Sequence, residues 1–90
     1  MQLITLDGAR MKSVRETHLY LAAALRFPVY YGRNLDALHD CLTEFCGDMI
    51  VILRHSDAME QNLGDYAERL LTVFTDAAES SSLRFVIDPA

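Results

Sequence analysis

Apolar residues recur along this chain in short blocks, and the spacing within each block predicts the element it builds. Leu3-Ile4-Thr5-Leu6 is an apolar run ended by the turn signal Asp7-Gly8 and predicts a strand. Ser13-Val14-Arg15-Glu16 fits a capping box, with Ser13 as N-cap and Glu16 reaching back to it. The helix opened there carries Val14, His18, Leu21, Ala22 and Leu25 on one stripe and must stop before Pro28. Tyr30 to Arg33 form a loop. A second helix runs from about Asn34, its N-cap, to about Phe45, with Gly47 as its stop. Met49-Ile50-Val51-Ile52-Leu53 is apolar at every position, the pattern of a strand covered on both faces in the middle of a parallel sheet. His55 to Asn62 reads as loop or short helix. Asp65 with Glu68 starts another helix, whose buried stripe is Tyr66, Leu70, Val73, Phe74 and Ala77. Ser80-Ser81-Ser82 makes the turn into Leu83-Arg84-Phe85-Val86-Ile87, a last strand in which alternate residues are apolar.

Three strands separated by helical crossovers predict an α/β fold: a three-stranded parallel sheet with packed helices, since antiparallel neighbours need no such long connections. Ninety residues make a single compact domain, 1–90, with one core and little margin of stability. With 51% hydrophobic and 23% charged residues, the composition is that of an ordinary globular protein.

Charge narrows the partners. The net charge is −5, spread unevenly: residues 1–33 carry five basic and two acidic side chains, residues 34–90 three basic and eleven acidic. A nucleic-acid binder should show a basic stripe, so direct nucleic-acid binding is not expected. An acidic face instead steers a basic protein into encounter. No apolar run approaches the roughly 20 residues of a membrane span. Met1-Gln2-Leu3-Ile4-Thr5 lacks the basic and long apolar regions of a signal peptide. Cys41 and Cys46 in the predicted helix are separated by an axial rise of about 7.5 Å, too far for an unstrained disulfide. The expectation is a cytoplasmic protein, monomeric when free.

The second helix has two faces. At about 100° per residue, Leu35, Leu38, Leu42 and Phe45 fall within about 80° of one another and form the core stripe. Asp36, Asp40, Thr43 and Glu44 occupy a separate arc of about 100°, with His39 on the border. Asp36 and Asp40 stand one turn apart and repel, and no Lys or Arg lies within a turn C-terminal to them. For Asp36 two readings stay open, because an acid in the first turn gains about 0.3–1 kcal/mol from the helix dipole. Asp40 lies past that turn and gains little, so it carries the inference of a cationic partner. Tyr30 and Tyr31 lead into this face, and aromatic side chains beside charged anchors are typical of binding hot spots. One of the two tyrosines at least is expected to be buried against the helix.

Catalytic readings are weaker. Carboxylates that share acid–base work on sugars normally come from different elements across a cleft. His39 and Asp40 point about 100° apart on a helix and do not readily share a metal. His18 and His55 have nothing to bring them to such a site. Neither cysteine has a local activating signature, and no glycine-rich phosphate loop occurs. The chain is read as no enzyme, needing no cofactor and no metal.

The run Tyr30-Tyr31-Gly32-Arg33-Asn34-Leu35-Asp36-Ala37-Leu38-His39-Asp40-Cys41-Leu42-Thr43 resembles the signature of the barstar family of intracellular ribonuclease inhibitors. The Asp7-Gly8 turn, Pro28 and Val73-Phe74 extend the resemblance over essentially the whole chain. It implies a barstar-like domain that plugs the active site of a basic, barnase-like ribonuclease of the extracellular type in a one-to-one complex. Asp36 and Asp40 would stand in for RNA phosphates, Tyr30 would meet the region of the catalytic histidine, and Thr43 would make contacts at the helix end. Asp76 falls where the family carries an acidic contact from the later helix. Several positions depart from the pattern. His39 stands where the best-known inhibitor has tryptophan and Glu44 where it has glycine. Phe45 replaces a second contact tryptophan, and Asp76 is one methylene shorter than the glutamate there. These changes fall on the rim, where partner choice is set. Partner contacts are therefore expected from Tyr30, Asp36, His39, Asp40, Thr43, Glu44, Phe45 and Asp76. The alternative is an interaction module of the same fold that binds a different cationic protein without inhibiting a nuclease.

Overall fold

Alternation of buried and exposed positions decides how the elements stack. A computed structural model describes residues 2–88; Met1, Pro89 and Ala90, the ends of the predicted 1–90 domain, lie outside the described residues. The chain runs β1 (Gln2–Asp7), a short 3-10 turn (Gly8–Arg10), α1 (Val14–Leu25), α2 (Leu35–Phe45), β2 (Met49–Arg54), α3 (Ser56–Leu63), α4 (Asp65–Ser80) and β3 (Arg84–Asp88). The sheet order is β1-β2-β3, all parallel. Ile4, Val51 and Phe85 stand side by side in register, as do Leu6, Leu53 and Ile87. This is the expected α/β architecture, with α3 formed where loop or short helix is predicted.

One face of the sheet supports the core. Leu6, Val51 and Leu53 join Leu21 and Leu25 of α1, Leu38 and Leu42 of α2, Met59 of α3, and Leu70, Phe74 and Ala77 of α4 in a single cluster. Burying each leucine contributes about 1.5–3 kcal/mol, so this cluster dominates the folding free energy. Phe74 and Phe85 stack with ring centroids 4.7 Å apart and tie α4 to β3.

Several expectations need correction. The apolar run of β2 is not covered on both faces. Met49, Val51 and Leu53 are buried, but Ile50 and Ile52 are only half-buried and lie in register with the exposed Leu3 and Val86. A central strand shields its outward side chains laterally with its two neighbours, so it can read as apolar throughout without a second layer of helices. Ile87 on the edge strand β3 is exposed as well, although its register partners Leu53 and Leu6 are buried. Leu83 is buried but precedes the strand. Val14 is exposed in the first turn of α1, where Thr17 is the residue that faces the interior. Half of the predicted capping box forms: Ser13 Oγ accepts from the Glu16 N–H at 3.1 Å, while Glu16 supplies an acid to the first turn. Helix α2 does end before Gly47, but Cys46 closes it through its N–H to the Leu42 carbonyl, and the left-handed residue is Asp48.

Arg26 (φ 57), Arg33 (φ 56), Asp48 (φ 60) and His55 (φ 56) all turn the chain in the left-handed region without glycine. Gly8 has a different reason to be glycine. A Cβ there would sit 2.3 Å from the His55 carbonyl oxygen, where the turn after β1 crosses the start of α3. Both groups are backbone and cannot swing aside. Gly8→Ala should therefore destabilise the domain by about 1–3 kcal/mol, read as a lower urea midpoint at unchanged slope.

Candidate functional site

The site is organised by the start of α2. Asn34 adopts an extended backbone and accepts from the Ala37 N–H at 2.8 Å, while its Nδ2 donates to the Gly32 carbonyl at 3.3 Å. The cap thus joins the tyrosine loop rigidly to the helix. Leu38, Cys41 and Leu42 anchor one face in the core, and Asp36, Asp40 and Glu44 are exposed on the other. Phe45 was expected in the core stripe and is instead 47% exposed. It lies in the last turn, where Cys41, Leu42 and the capping Cys46 are the residues that face the core.

The two tyrosines separate sharply. Tyr31 is buried, as expected for one of the pair, and Tyr30 is 75% exposed. Tyr31 packs against Phe27 and approaches His18 Nδ1 at 2.6 Å through its hydroxyl. The other ring nitrogen, Nε2, lies 2.7 Å from the Tyr66 hydroxyl. His18 is fully buried, and burial pushes its pKa down, so the ring is held neutral. A neutral imidazole donates from one nitrogen and accepts at the other, so one phenol accepts from His18 and the other donates to it. Burial also raises the Tyr31 and Tyr66 phenols, which keeps both O–H groups available for these bonds.

Two grooves flank the acidic face. One, of about 240 Å³, brings Tyr30, Asp40, Glu44 and Phe45 together over a floor that includes Tyr31 and Cys41. Half of the predicted contact residues thus meet at one place. Asp36 lines the second groove, of about 280 Å³, with the capping Asn34, Leu35 of α2, and Tyr66 and Arg69 of α4. His39 and Thr43 are half-buried and line neither. The Thr43 hydroxyl is turned back onto the helix, donating towards the His39 carbonyl at 3.1 Å and the Asp40 carbonyl at 3.0 Å. Asp76 is exposed on α4, which packs against α2. It lies seven residues beyond Arg69, about two turns along the same side of the helix. The composition singled out neither Tyr66 nor Arg69 for this face. Their spacing within α4 identifies them only once α4 is known to lie beside α2.

Burial raises the Cys41 thiol, and the Glu44 and Asp40 carboxylates raise it further; Cys46 is pushed up to about 11 by burial and by Cys41. Neither is poised as a thiolate nucleophile. Among the described residues no three His, Cys, Asp or Glu side chains gather as a metal-ligand set, and no helix is long and apolar enough to cross a membrane.

Fold and site together define a small α/β protein that offers an acidic helix face rimmed by exposed aromatic rings. Comparison with known proteins gives the family. The model of the barstar family, described as barnase inhibitor, matches residues 1–87. A protein of Bacillus subtilis (strain 168), named "Putative ribonuclease inhibitor YrdF", is 38% identical over 88 residues, spanning 97% of both chains. The chain belongs to the barstar family. That membership points to an inhibitor rather than an enzyme, and implies a ribonuclease as partner.

The buried imidazole makes stability depend on pH. The unfolded chain protonates His18 below about pH 6.5 while the folded domain resists doing so. The unfolded state then binds more protons, so the contribution is complete above that pH and is lost as pH falls below it, at no more than about 1.4 kcal/mol per unit. Urea midpoints should fall between pH 7 and pH 5. His18→Gln, which can still bond both phenols, should start lower and fall less steeply. Parallel profiles for the two proteins would assign the effect to another group.

Proposed function

We propose that this protein inhibits a basic, barnase-like ribonuclease by seating the acidic face of α2 in the enzyme's phosphate-binding cleft. Asp40 and Asp36 take the positions of RNA phosphates and pair with the cationic groups that bind substrate. Tyr30 and Phe45 flank them and exclude water, and Glu44 and Asp76 extend the negative surface towards the rim. His39 and Thr43 contact the nuclease along the border of the same face. The observation that carries this reading is the groove shared by Tyr30, Asp40, Glu44 and Phe45. It groups the Asp40 and Glu44 carboxylates with two exposed aromatic side chains beside a helix whose other side is fixed in the core, and Asp36 lines the neighbouring groove.

Blockade of this kind needs no cofactor and no chemical step. The complex is one-to-one, between a free monomer held in the cytoplasm and an enzyme of the secreted type. A panel of barnase-like ribonucleases, assayed for RNA cleavage with and without the protein, tests this. A module that binds some other cationic protein would leave every activity intact.

Removing one member of a buried, hydrogen-bonded charge pair costs about 2–5 kcal/mol, a range for which barstar complexes are themselves a reference case. Asp40→Ala should therefore weaken inhibition at least about 30-fold while leaving the urea midpoint nearly unchanged. Titration calorimetry against the inhibited nuclease checks this, and equal affinities would sink the assignment of Asp40. Association should also slow markedly as salt is raised, since attraction between exposed charges is screened beyond about 8–10 Å at ordinary ionic strength. Stopped-flow rates that ignore salt would remove electrostatic steering from the account.

A further inference from the structure

The acidic face has a cation built into it. Arg69 is exposed on α4 and shares the second groove with Asp36, yet the two form no ion pair. Among the described residues its aromatic neighbour is Tyr66, whose ring lies 5.9 Å from the guanidinium carbon. That ring is itself fixed, because its hydroxyl is bonded to the buried His18. A guanidinium at the outer reach of a fixed ring, beside a separate carboxylate, forms a site with two charges of opposite sign. It differs from the first groove, whose ionisable walls are carboxylates, thiol and phenols.

We infer that Arg69 is a specificity-determining residue of this inhibitor, receiving a carboxylate of the target nuclease beside the cation that pairs with Asp36. This rests on the inhibitor reading above and sharpens which nuclease it admits. A complex that covers α2 through Asp36 also covers the groove wall opposite. An Arg buried there without an acceptor would lose hydration and gain nothing, and a partner cation opposite it would be repelled. The matching enzyme therefore carries an acid–base pair at the edge of its cationic cleft. A nuclease presenting only cations there is disfavoured by Arg69, which is discrimination by repulsion as well as by attraction.

The test uses the full chain and the barnase-like ribonuclease that it inhibits best in the panel. Arg69→Ala should weaken inhibition about 10-fold and Arg69→Glu about 100-fold, with Arg69→Lys between wild type and Ala. All three variants should keep the wild-type urea midpoint within error, since Arg69 is exposed. For nucleases that the wild type inhibits poorly, Arg69→Ala should raise inhibition. If Asp40→Ala destroys inhibition but both Arg69→Ala and Arg69→Glu change it less than about twofold, the specificity role is overturned and the inhibitor reading stands. Tighter inhibition of the best target by Arg69→Ala, lost again when Asp36→Ala is added, would also overturn it, since Arg69 would then merely compete for Asp36. No inhibition by the wild type across the panel would overturn the inhibitor reading and this inference with it.

Discussion

One buried imidazole ties together the elements that carry the proposed binding face. His18 comes from α1, Tyr31 from the loop before α2, and Tyr66 from the start of α4; the two phenols close on opposite nitrogens of the same ring. Each groove beside the acidic face takes one of these tyrosines into its wall. The two grooves are therefore supported by a single polar cluster, and their spacing follows from its geometry. Inside a low-dielectric core such bonds are strong when complete and costly when broken. Losing any one of the three side chains would leave a buried polar atom without its partner and would loosen three elements together.

The acidic face itself is maintained by an imbalance of magnitudes. Asp36 and Asp40 repel across one turn by a few tenths of a kcal/mol. Leu38 and Leu42, on the same helix and fully buried, each contribute about 1.5–3 kcal/mol. The core term is several times larger, so α2 can carry adjacent like charges without losing its place. The Asn34 cap adds about 1 kcal/mol and fixes the point from which the charged residues are counted round the helix. The proposed binding residues thus lie on the face where folding is nearly indifferent to sequence.

Helix α2 could be read from the sequence because its determinants are local. The Asn34 cap, the leucine spacing and the aspartate spacing all lie within the same dozen residues, and the structure reproduces its bounds. The parallel sheet was legible for a similar reason, since crossover lengths are read directly along the chain. The partners of His18 were not legible. They lie 13 and 48 residues away, and no spacing rule links them. Phe45 was misplaced because a helical wheel cannot fix the edges of the buried arc: in the last turn the core takes Cys41, Leu42 and Cys46 and leaves Phe45 outside. Ile50 and Ile52 mislead because hydropathy cannot distinguish cover by helices from lateral cover by neighbouring strands. Arg69 became visible only when α4 was found lying against α2.

The left-handed corner at Arg33, directly before the Asn34 cap, bears on motion. An L-residue other than glycine has a small left-handed well, with about 1–2 kcal/mol set against it. Glycine would enter that region freely but would also leave it freely. Arginine stays in that corner only because its surroundings hold it there: Tyr31 is fixed by His18 on one side, and Asn34 bonds both the Gly32 carbonyl and the Ala37 N–H on the other. The exposed ring of Tyr30 is consequently carried on a stiff stem, so that little disorder is left to be frozen out when it meets another surface.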